Sequence, residues 1–93
     1  MKIEDIIKKL NINYKGNYTE DGAYVIDLPN SEAFGNIFTL LENNNMIDTL
    51  EDNQVVTEEG SSLLYEIIGE SYILNLLADW DTGNYQLIIN NLD

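Results

Sequence analysis

The chain has 93 residues, no cysteine and a formal net charge of −13 at pH 7, and 44% of its residues are hydrophobic. That length holds a single domain over 1–93 with one modest core, and the missing thiols exclude disulfides and thiolate chemistry. So anionic a chain is repelled by nucleic acid and by anionic lipid alike, yet its apolar residues fall in periodic blocks that a disordered acidic segment lacks.

In chain order, Ile3, Ile6, Ile7 and Leu10 at i, i+3, i+4 and i+7 predict an amphipathic helix over 2–10. Glu4 and Asp5 early and Lys8 and Lys9 late suit its dipole. Strand-like runs follow over Ile12–Thr19 and Ala23–Leu28, joined by the turn residues Glu20-Asp21-Gly22. Pro29-Asn30-Ser31-Glu32 offers an N-cap to a helix over about 31–43, with Phe34, Ile37, Phe38 and Leu41 on one stripe and the Asn43-Asn44-Asn45 triplet as its stop. Met46–Glu51 and Gln54–Thr57 read as a hairpin around Asp52-Asn53.

The stretch 57–68 fits two patterns. Leu63, Leu64, Ile67 and Ile68 suit a helical face, with Thr57 as cap and Glu58 and Glu59 in the first turn, whereas Leu63, Tyr65 and Ile67 alternate as in a strand. The capping signal and the length favour helix. Tyr72–Trp80 and Tyr85–Asn90 form the clearest hairpin, closed by Asp81-Thr82-Gly83-Asn84. Both of its strands are apolar at nearly every residue, so one face is expected on the helices and the other under a neighbouring element or a partner. The sum is an α+β domain in the order helix–hairpin–helix–hairpin–helix–hairpin, with antiparallel sheet.

Charge is distributed unevenly. Lys2, Lys8, Lys9 and Lys15 are the only cations, and from Gly16 to Asp93 there is no Lys, Arg or His. Of seventeen carboxylates, all but Glu4 and Asp5 lie in that stretch. A body without internal counter-charge repels itself, which points to a basic partner, a metal or a need for solubility. Catalysis is disfavoured, because the absence of His, Cys and Arg removes the usual general base, the thiol nucleophile and the guanidinium clamp. Asp79-Trp80-Asp81-Thr82-Gly83-Asn84 partly matches a calcium loop, but its Gly comes one place early and position twelve is Asn90 rather than Glu. A plain β-turn is the better reading, and no cofactor or metal site is expected.

Candidate partner-binding residues are therefore the acidic clusters Asp48 with Glu51 and Asp52, Glu58 and Glu59 with Glu66 and Glu70, and Asp79 with Asp81. Trp80, between two acids beside a turn, is the aromatic most expected to be exposed, and Trp is a frequent interface anchor. The plainer reading makes the acids a solvated face and the aromatics core. Rows of carboxylates can also imitate the field of duplex DNA, which carries one charge for about every 1.7 Å of axis. Met1–Asp5 has no long apolar leader segment, and no apolar run nears the roughly 20 residues of a membrane helix. A soluble, cytoplasmic protein is expected.

Two resemblances follow from these residues. Ser31 to Ile68 resembles the second half of a winged helix-turn-helix domain, with a helix ending in Leu40-Leu41-Glu42, then Met46-Ile47, a short wing, and Val56-Thr57-Glu58-Glu59-Gly60 entering a last helix at Leu63-Leu64. In that family Lys and Arg meet DNA, but here Glu32, Glu42, Asp48, Glu51 and Asp52 occupy the corresponding helix and wing. The whole chain, in size, acidity and lack of Cys, is similar to small phage-encoded inhibitors of bacterial defence, above all DNA-mimic anti-CRISPR proteins. That likeness implies a stoichiometric, non-enzymatic protein in the host bacterial cytoplasm. Its target would be the basic surface of a CRISPR effector or other nuclease, with no direct nucleic-acid or membrane binding. An immunity protein or antitoxin capping a basic toxin nuclease follows the same electrostatic logic. A winged-helix-like interaction module is the third alternative, acting on a regulator or dimerising through its apolar C-terminal hairpin. Monomer and homodimer both remain open.

Overall fold

A computed structural model describes residues 3–44, 54–60, 62–68 and 72–91, with only the backbone of 54–59. In chain order the elements are α1 (Ile3–Leu10), β1 (Asn17–Tyr18), β2 (Tyr24–Leu28), α2 (Ser31–Asn43), β3 (Gln54–Glu59), β4 (Ser62–Ile68), β5 (Tyr72–Asp79) and β6 (Asn84–Asn91). The strands make one six-stranded sheet in the order β1-β2-β6-β5-β4-β3, antiparallel throughout. Both helices pack on one face of it, so the domain is a two-layer α+β fold.

Each helix carries the end signals its sequence offers. In α1, Ile3, Ile6 and Leu10 are buried. Asn11 then takes a positive φ of 56°, and the Asn11 and Ile12 amides donate back to the carbonyls of Lys8 and Ile7, both at 3.1 Å. This is the Schellman closure, and Asn tolerates its left-handed residue better than most side chains. In α2, the Asn30 side chain accepts from the Ala33 amide at 2.9 Å, the N-cap bond worth about 1 kcal/mol. At the other end the Asn44 amide and side chain both donate to the Leu40 carbonyl. Gly22, at φ 86°, permits the turn between β1 and β2. Of the run expected as strand over 12–19, only Asn17–Tyr18 is paired.

The expected order of alternating helices and hairpins fails at one place. No third helix forms over 57–68; the chain there is the end of β3, a turn at Gly60 with φ 61°, and β4. β4 is paired on both sides, with Tyr65 opposite Val56 of β3 and Leu76 of β5. A strand divides what a helix would gather: Leu63, Tyr65 and Ile67 pack on the core, while Leu64, Glu66 and Ile68 alternate to the other side. A cap contributes about 1 kcal/mol, but burying Ile67 alone contributes about 1.5–3 kcal/mol, with two hydrogen-bonded ladders in addition. Tertiary pairing therefore overrides the local capping signal. Gln54–Thr57 is strand, as expected, within β3, and it pairs with β4; Met46–Glu51 and the turn Asp52-Asn53, the rest of the expected hairpin, lie outside the described residues. The likeness to a winged helix ends at α2, because its last helix is replaced by the β3–β4 hairpin.

The core follows the register. The row Ile26–Leu87–Leu76 crosses β2, β6 and β5, with all three side chains fully buried. The neighbouring row Ile89–Leu74–Ile67 extends it across β6, β5 and β4. Ile6 and Leu10 of α1 and Ile37 and Leu41 of α2 close over these rows. No charged or polar side chain is buried among the described residues.

Candidate functional site

Opposite the helices, the sheet has a second face that no described element covers. Residues on it are half-buried or exposed, in alternation with the buried positions of the same strands. The antiparallel register arranges them in cross-strand rows. One runs Val25–Ile88–Asn75–Glu66 across β2, β6, β5 and β4. The next runs Asp27–Gln86–Leu77–Leu64 over the same strands. Flanking rows hold Asn90, Ile73 and Ile68 on one side and Asn84, Asp79 and Ser62 on the other. Ile68, an exposed large hydrophobic residue, lies on this face.

The face is therefore mixed: a band of Val25, Ile88, Leu77, Leu64 and Ile73 set among amides and the carboxylates Asp27, Glu66 and Asp79. No strand residue on it is a cation among those described. Lys8 and Lys9 are exposed on α1, and Lys15 is exposed in the segment between α1 and β1. The Gln86 side chain donates to Asp27 Oδ1 at 2.7 Å, holding that carboxylate in place above the sheet. Strand spacing of about 4.8 Å and a rise of about 3.3 Å per residue put the Cα positions of Asp27, Glu66 and Asp79 roughly 12–16 Å apart. Among the described residues no group of three or more acids could hold a metal ion.

Near the β5–β6 turn a groove of about 320 Å³ opens, lined by Ser62, Leu64, Leu77, Asp79, Asn84 and Gln86 among others. Around the edge at the same end, Trp80 packs edge-on against Phe34 and Tyr85, with ring centroids 5.9 and 6.3 Å away. It stays 49% exposed, so its ring is at once a wall of the core and an accessible surface. The loop with the partial calcium pattern is a hairpin turn. Asp79 Oδ1 accepts from the amides of Asp81 and Thr82 at 3.0 and 3.3 Å, and Gly83 supplies a φ of 71°.

Of the sequence-derived acidic candidates, the structure describes the side chains of Glu66, Asp79 and Asp81. Glu66 sits centrally on the open face and Asp79 at its end, tied into its own turn. Asp81 is exposed in that turn beside Trp80. Glu58 and Glu59 lie on β3 opposite Leu63 and Ser62. Asp48, Glu51, Asp52 and Glu70 lie outside the described residues. The sequence marked the last hairpin as apolar on both faces, but it did not single out Asp27, Gln86 or the members of the band on β2 and β4. The available signal was the two-sided apolar character of β5 and β6, which becomes a map of one face only when the register is known.

Comparison with protein-family models, with curated proteins and with solved structures gave no match. The described helices include none long and apolar enough to cross a membrane. Fold and face together define a two-layer α+β domain with one sheet surface that no described element covers.

Proposed function

We propose that the chain is a non-catalytic, stoichiometric inhibitor that occupies the Lys/Arg-lined nucleic-acid surface of a partner protein, in the manner of the acidic DNA-mimic anti-CRISPR proteins. The observation that carries this is the cation-free stretch from Gly16 to Asp93, which supplies the whole open face of the sheet. A surface of one sign, unneutralised from within, attracts a cationic surface from a distance and speeds docking onto it. Fixed placement of Asp27 by Gln86 favours recognition over diffuse solvation, since the carboxylate is held before the partner arrives.

Affinity capture from a bacterial lysate with the chain immobilised tests the proposal, followed by elution with duplex DNA and, separately, with salt. The expected result is a nucleic-acid-binding enzyme, a CRISPR effector or a toxin nuclease, displaced by DNA and eluted by moderate NaCl. A partner that neither DNA nor salt displaces would overturn the reading.

A further inference from the structure

We infer that the docking surface is the open sheet face itself, and that its occupant is an amphipathic cationic segment of a partner protein, contributing apolar side chains as well as Lys or Arg. This deepens the function proposed above and rests on it for the partner being a protein. The apolar band carries the first half of the inference. Val25, Ile88, Leu77, Leu64 and Ile73 lie on neighbouring strands of one face, each partly accessible, with Ile68 exposed beside them. A purely electrostatic mimic of a phosphate backbone needs carboxylates on this surface, not a band of Leu, Ile and Val. The band fits a partner that brings apolar area to the middle and charge to the edges, the usual anatomy of a protein interface.

Charge selects the occupant. Asp27, Glu66 and Asp79 stand around the band, with no cation among the described strand residues of this face. A second copy docking by the same face would set these carboxylates against their own kind, which costs rather than stabilises. A second copy offering its Lys-bearing α1 brings no apolar stripe, because Ile3, Ile6 and Leu10 are already buried. Anionic lipid and nucleic acid are repelled by the same three groups. What remains complementary is a segment with apolar residues on one side and Lys or Arg flanking them. The groove at Leu64 and Leu77 supplies an anchor point, since its lining combines these aliphatic side chains with Asp79, Asn84 and Gln86. An Arg or Lys suits such a lining, its stem against the aliphatic side chains and its head near the carboxylate and amides.

The test is amide chemical-shift mapping of the isotope-labelled full chain. One probe is a short peptide with Leu on one helical side and Lys on the other. The second has equal length and charge, with Ser in place of Leu. The amphipathic peptide is expected to bind at least about tenfold tighter than its Ser counterpart, with shifts concentrated at Val25, Asp27, Leu64, Glu66, Leu77 and Ile88. Leu77→Gln should weaken it by a similar factor while the spectrum of the free protein stays dispersed. Equal binding of the two peptides would overturn the inference, as would shifts centred on α1 or α2, or no binding at all. Failure of the function reading shows separately: capture of a partner without a nucleic-acid site sinks that reading and leaves the mapped face standing.

Discussion

Leu87 and Ile26 meet across β6 and β2 with no accessible surface on either, and at such positions the cost of truncation is set by the cavity left behind. Leu87→Ala should destabilise the domain by about 2–5 kcal/mol, measured by urea unfolding; a loss under about 1 kcal/mol would mean that the row is not close-packed. Tyr18 shows a different dependence. Its hydroxyl donates to Glu4 Oε1 at 2.7 Å, linking β1 to α1. That hydrogen bond raises its pKa above 10.0, with smaller contributions from desolvation and from the nearby charge of Glu4 and Tyr24. Burial raises Tyr72 in the same direction. For both, the folded value lies above the unfolded one, so their stabilising contribution is complete below about pH 10 and is lost as pH rises through the folded pKa. Ultraviolet titration of the tyrosines should show both ionising late. Glu4→Gln should bring Tyr18 back toward the ordinary value and leave Tyr72 unmoved. Trp80, the aromatic expected to be most exposed, comes second to Tyr18, at 49% against 55%. It is half-exposed beside its turn, as its acidic neighbours suggest, but it also seals the core against Phe34 and Tyr85.

The elements with strong local punctuation are legible in the sequence. A dipole-matched helix over 2–10 appears as Ile3–Leu10, the Asn30-capped helix as Ser31–Asn43, and the last hairpin as Tyr72–Asp79 with Asn84–Asn91. β4 is not legible in the same way, and the reason is physical. Thr57-Glu58-Glu59 resembles a helix start to its near neighbours, but the residues that decide the outcome are Val56, Leu76 and their strands, which are distant in sequence or set by pairing. The two states make opposite demands on neighbouring residues. In the strand Ile67 is buried and Leu64 lies half-buried on the open face. Ile67→Ala should therefore cost about 2–5 kcal/mol, and Leu64→Thr no more than about 1 kcal/mol, since Thr suits a pleated, half-wet surface. Equal losses in urea unfolding would speak for one helical stripe instead. Of the open face, the sequence shows only that β5 and β6 are apolar on both sides. Asp27 joins it through pairing with Gln86, a residue 59 positions away.

For the molecule as a whole, a net charge of −13 with all cations before Gly16 makes self-repulsion a standing term in stability. The Debye length falls from about 30 Å at 0.01 M salt to about 3 Å at 1 M, so added NaCl should relieve it. The melting temperature is expected to rise by roughly 5 °C or more over that range, and scanning calorimetry that finds no rise would contradict an unneutralised body. Salt should act oppositely on partner binding, slowing association as it screens the attraction. The two trends together distinguish a charge kept for recognition from one that is merely solvated. The central claim, that binding belongs to the open face and not to acidity at large, is tested most directly by two double charge reversals of equal net charge. Asp27→Lys with Glu66→Lys alters the open face, and Glu32→Lys with Glu42→Lys alters exposed positions of α2 on the other layer. Calorimetric titration against the captured partner should show at least about a tenfold loss for the first pair and under about threefold for the second. Equal losses, or a larger loss from the α2 pair, would contradict it.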